Sequence, residues 1–95
     1  MINVKIDISK EKLYLKFNGH TGVAGHSLCC AGASMLVIAL MKSLEEDGEE
    51  FEKEAYSGYA EISTEWSEKK EAYFRMVERG MQWLDKKYRD GINFL

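Results

Sequence analysis

From Ile2 to Ile8 apolar and polar residues alternate, with Ile2, Val4, Ile6 and Ile8 on one side and Asn3, Lys5 and Asp7 on the other. That two-residue period predicts a strand with one buried face. Ser9 to Lys12 reads as a turn, after which Leu13, Leu15 and Phe17 resume the alternation, so the first two strands make a hairpin. The pattern then changes. Ser27 is a good N-cap, and Leu28 to Leu44 is almost entirely apolar or small, which predicts a helix buried in the core. Glu45 to Glu54, acidic around Asp47-Gly48, reads as a helix end and a solvated loop. Ala55 to Thr64 returns to the strand period, with Tyr56, Gly58, Ala60 and Ile62 on one face. Ser67 opens a second helix running to about Tyr88, in which Tyr73, Met76, Val77, Gly80 and Leu84 recur at helical spacing. Ile92 to Leu95 reads as a short last strand or a docked tail. The order strand, strand, helix, strand, helix predicts an α+β fold, a mainly antiparallel sheet with two helices and room for a short C-terminal strand.

Composition narrows the class. Ninety-five residues, of which 45% are hydrophobic and 31% charged, make one ordinary globular domain over residues 1–95. A net charge of −3 argues against a general nucleic-acid surface and favours a basic partner segment. The first strand has no signal-peptide apolar region, and the first helix contains glycine, serine and lysine, so neither targeting nor a membrane partner is expected. The two cysteines are adjacent and cannot build a disulfide framework, which points to reduced thiols and a cytoplasmic protein.

The chemistry concentrates in Asn18 to Ser34, which holds both histidines and both cysteines of the chain. Gly19, Gly22 and Gly25 allow the loop to take positive φ and approach a ligand closely. If Ser27 caps the helix, Cys30 lies in its first turn, where the positive end of the helix favours a thiolate. His20 precedes it by a loop long enough to fold back, and a Cys–His pair is the minimum for nucleophilic attack on a carbonyl. Cys29 reads as a packing residue. His26 is a candidate for substrate contact, loop orientation or service as a substitute base, Ser34 lies one turn from Cys30 on the same helix face, and the backbone N–H groups near Cys29 to Ala31 are candidates to hold an oxyanion. Zinc needs four converging ligands, whereas consecutive helical cysteines diverge, so no metal is expected. The loop lacks the lysine of a phosphate-binding motif, and no cofactor is expected.

At these residues the chain resembles the ribosomal-processing cysteine proteases called Prp. That pattern is close to Gly-His-Ala, a glycine-containing loop, then Asp-x-Val-Cys-Ala-x-x-Ser. Gly19-His20 matches the first element and Cys30-Ala31-Gly32-Ala33-Ser34 the last. The resemblance implies His20 as base and Cys30 as nucleophile. It also implies a small α+β protein that pairs as a homodimer, and removal of a short N-terminal extension from a large-subunit ribosomal protein as the activity. The chain departs from the pattern at Ser27, where the family has aspartate, and in a shorter loop between histidine and cysteine. The alternative function is a peptide- or ribosome-associated binding module of the same fold that does not cleave. Tyr56, Tyr59, Trp66, Tyr73, Phe74, Trp83 and Tyr88 are read mainly as core and sheet-face aromatics, some of them able to line a groove in which an extended peptide adds to a sheet edge.

Overall fold

The computed structural model describes residues 2–19, 28–56, 58–88 and 91–95. Strands β1 (Ile2–Ile8) and β2 (Lys12–Asn18) form the expected hairpin, followed by helix α1 (Leu28–Glu46), strands β3 (Glu52–Tyr56) and β4 (Tyr59–Glu65), helix α2 (Glu68–Lys87) and strand β5 (Ile92–Phe94). The five strands lie in the order β3-β4-β2-β1-β5. Every pairing is antiparallel except the short β1–β5 contact at the far edge. The fold class is the α+β class that the periodicity predicts.

Register fixes the two faces of the sheet. Val4, Phe17 and Ala60 stand in one cross-strand row, and Ile6, Leu15 and Ile62 in the next. This is the face that α1 and α2 cover, and it carries the core together with Phe74, Val77 and Met81 of α2 and Ala33, Val37, Leu40 and Leu44 of α1. The opposite face is open and polar, because a two-residue period sends every intervening side chain away from the core.

Three expectations need correction. The third strand is two strands: β3 ends at Tyr56 and β4 starts at Tyr59, Gly58 between them has φ +77°, and the two strands pair antiparallel. β3 therefore begins inside the stretch read as a solvated loop. It hides from periodicity because all five of its residues are exposed, so no buried face imposes alternation. Secondly, the buried stripe of α2 is Lys70, Phe74, Val77, Met81 and Leu84, one position round from the predicted face, and Met76 is exposed. Thirdly, α1 is buried on one side only. Cys29, Ala33, Val37, Leu40 and Leu44 face inward, while Leu28 and Met35 are 71% and 62% exposed. By length and composition α1 could cross a membrane, yet its inward side packs on the core of this fold.

Candidate active site

α1 begins at Leu28, the start that the sequence predicts, and Cys30 is its third residue. No acidic side chain belongs to that first turn, where the helix presents its positive end, although Asp85 of α2 acts on it from outside. The two cysteines have different surroundings. Cys29 is 4% exposed and joins the core, where burial first, then Cys30 and Asp85, pushes its thiol above the usual range. Cys30, one residue on and about 100° round the helix, is half-buried. Ala31 is exposed, and Ser34 is half-buried one turn further along the helix from Cys30.

A seat for Cys29 holds this turn in place. A Cβ added to Gly91 would lie 2.7 Å from Cys29 Sγ and 2.9 Å from the carbonyl oxygen of Tyr88, so only glycine fits there. The Gly91 N–H donates to that same Tyr88 carbonyl, and the Gly91 carbonyl accepts the N–H of Ile2, both at 3.0 Å. One residue thus joins the end of α2, the start of β1 and the first turn of α1.

The other half of the motif leaves the sheet at the same end. Asn18, the last residue of β2, pairs with Asn3 near the start of β1, and the following Gly19 has φ +120°. Its N–H donates to the carbonyl of Gly58 at 3.0 Å, tying the residue before His20 to the β3–β4 turn. A side chain at φ +120° is strained whatever the space around it, which is why glycine stands there. His20, Gly22, Gly25, His26 and Ser27 lie outside the described residues.

Two features were missed by sequence reasoning. Gly91 carries no local signal, since its neighbours in space are distant in the chain. The turn at Gly58, by contrast, was available in the sequence as a Ser-Gly dipeptide, a common turn marker. Beside that turn Tyr56 and Tyr59 stack, with ring centroids 4.8 Å apart and planes 13° from parallel.

A family model described as "Cysteine protease Prp" matches residues 1–93. The chain belongs to the cysteine protease Prp family. As a member it is a cysteine protease. The fold is also similar to two structures of the ribosomal processing protease Prp from S. aureus. One, with a covalently linked product peptide, shares 21% identity at a TM-score of 0.79, covering 99% of this chain and 97% of that one. The other, with a substrate peptide, shares 19% identity at a TM-score of 0.76, covering 100% and 98%. No curated protein sequence matches the chain at a significant level.

Proposed function

We propose that the protein, acting as a single cysteine-protease-like domain over residues 1–95, is a cytoplasmic endopeptidase that removes a short N-terminal extension from a large-subunit ribosomal protein. The observation that carries this reading is the division of labour between neighbouring thiols at a helix N-terminus. Cys29 anchors the turn in the core, and Cys30 stands half-buried beside it with the helix dipole behind.

In this mechanism the Cys30 thiolate attacks the scissile carbonyl carbon. Backbone N–H groups near Cys29 to Ala31, with the glycine loop, hold the resulting oxyanion. His20 as imidazolium then gives its proton to the departing amine nitrogen as the C–N bond breaks, leaving a thioester on Cys30. Water attacks that thioester, His20 takes its proton, and the Cys30 sulfur leaves as thiolate, which restores the thiolate–imidazolium pair and frees the acid product. No step needs a cofactor. The match between an acidic protein of net charge −3 and the basic chemistry of ribosomal proteins supports the substrate class.

The test follows both chemistry and cleavage. A thiol-reactive probe at neutral pH labels Cys30 much faster than Cys29, and the unprocessed ribosomal protein is shortened at its N-terminus by the wild type but not by Cys30→Ala or His20→Ala. Slow, equal labelling of both cysteines with no cleavage overturns the reading in favour of a non-cleaving binding module, as the serine at position 27 would suggest.

A further inference from the structure

The open edge of β3 presents features that the cleavage mechanism does not use. β3 hydrogen-bonds to β4 on one side and forms the border of the sheet on the other. All five of its residues are exposed, and no proline interrupts it. Such an edge offers a row of backbone groups to another extended chain. Natural edges are usually guarded by charge, and Lys53 fits that role, but its ammonium turns to Glu45 at 2.9 Å.

The side chains on the open face of this edge form a sequence of their own. Register places Tyr56 opposite Tyr59, Glu54 opposite Glu61 and Glu52 opposite Ser63. Like charges directly opposite on neighbouring strands destabilise a sheet. Glu54 and Glu61 are such a pair, and no cation within ion-pair distance neutralises Glu54 among the described residues. Glu61 has Lys16 opposite it on β2, beyond ion-pair distance, and accepts a hydrogen bond from Tyr14 at 2.6 Å, so Glu54 is the carboxylate left for a ligand. A groove of about 140 Å³ runs here between Glu52, Lys53, Glu54, Glu61 and Ser63, with the Lys53 ammonium paired to Glu45. The negative field reaches Tyr59, whose phenol is held above its usual range by burial first and then by Glu61 and Glu54.

Position gives the edge its meaning. The hairpin tip bearing the stacked tyrosines is bonded to Gly19, the residue before His20 in the sequence, so the aromatic end of β3 lies near Gly19 and the carboxylates run away from it. We propose that β3 and the Tyr56–Tyr59 platform form a docking edge for an extended basic peptide. The peptide adds as a strand outside β3, with an apolar or aromatic side chain on the tyrosines and a lysine or arginine two residues away over Glu54 and Glu61. The spacing follows from strand geometry, because alternate side chains share a face and recur every ~6.6 Å in both the peptide and β3. Strand addition supplies affinity through the main chain, and the two side-chain positions supply selectivity. This inference rests on the reading of the chain as a peptide-cleaving enzyme, and it names the chemistry of the peptide.

The test measures binding alone, in Cys30→Ala protein, with three acetylated and amidated decapeptides in a serine-threonine background. One carries Phe with Lys two residues on, one Phe with Glu in place of that Lys, and one Phe with Lys moved to the adjacent position. The first binds at least about tenfold more tightly than the second and third, a difference of one decade in Kd. Glu54→Lys reverses the preference between Lys and Glu peptides, Glu54→Gln removes it, and Tyr56→Ala weakens all three peptides. Hydrogen exchange shows new protection at the β3 amides that face away from β4. Equal affinities for the three peptides, a preference unmoved by Glu54→Lys or Glu54→Gln, or unchanged β3 exchange at saturating peptide overturns the proposal. Discriminating peptide binding by a wild type that leaves the unprocessed ribosomal protein uncut upholds the docking edge while overturning the proposed cleavage, so the two can fail separately.

Discussion

Tyr14 shows how one side chain on the open face acquires a property that its sequence position does not announce. Its hydroxyl donates to Glu61 at 2.6 Å across the β2–β4 pair. A phenol that donates to a carboxylate resists deprotonation, and that bond, followed by burial and the Glu61 charge, pushes Tyr14 from 10.0 up to about 12. The unfolded chain has an ordinary tyrosine, so the folded state binds this proton more tightly. The stabilisation is complete below about pH 10 and is lost as pH rises from about 10 to about 12. A phenolate absorbance titration, assigned by Tyr14→Phe, therefore places Tyr14 last among the tyrosines. Glu61→Gln brings its midpoint back toward 10, and a midpoint unmoved by that change refutes the assignment. Lys70 is a second residue of this kind. It lies on the buried stripe of α2, donating to Thr64 Oγ1 at 3.0 Å with Glu49 at 3.5 Å. Charge patterning assigns a lysine to the solvated side, and the acceptors supplied by β4 and by the connection between α1 and β3 make its burial tolerable.

Glycines decide how closely the elements approach one another. On α1, a Cβ at Gly32 would press on Leu84 at 3.0 Å, and on α2 a Cβ at Gly80 would meet Leu36 at 2.7 Å, so the two helices pack through reciprocal glycine–leucine contacts. In both cases the obstacle is the end of a leucine that can change rotamer. Gly91 is different, since one of its obstacles is the Tyr88 backbone. Gly91→Ala is accordingly expected to cost about 1–3 kcal/mol by overpacking, and Gly80→Ala less. For a domain of this size each kcal/mol lowers Tm by roughly 4–8 °C. Thermal melts of the two variants check the order, and Gly91→Ala melting at or above Gly80→Ala contradicts it. The start of α2 was better marked, as Ser67 accepts the Lys70 N–H at 3.2 Å in the expected cap. The β3–β4 hairpin was the least legible element, because an edge strand exposed on both faces has no hydrophobic period to read.

At the scale of the whole molecule, the exposed apolar side of α1 is the main feature awaiting a partner. Leu28, Met35 and Ile38 recur there at helical spacing, and all three are exposed. A second copy is the occupant expected from the homodimer reading, which remains a proposal resting on this surface. Light scattering during gel filtration is expected to give a dimer for the wild type and a monomer for Met35→Glu, with circular dichroism unchanged. A monomeric wild type at tens of micromolar, or a dimer indifferent to Met35→Glu, discards this surface as the interface. The net charge of −3 acts at the same scale, and its attraction for a basic peptide of the kind proposed weakens as salt is added.

By itself the sequence determined the α+β class, the first hairpin, the span of both helices and the Gly-His and Cys-Ala segments that mark the family. These are local properties: strand and helix periods, caps and a short motif are written in neighbouring residues. The tertiary structure alone decided that Tyr56 and Glu54 stand on a bare edge, that Glu54 faces Glu61, that Gly91 seats Cys29, and that Gly19 is tied to Gly58. Each of those facts depends on which distant segments become neighbours, and that choice is made by burial and register across the whole chain rather than by any window along it.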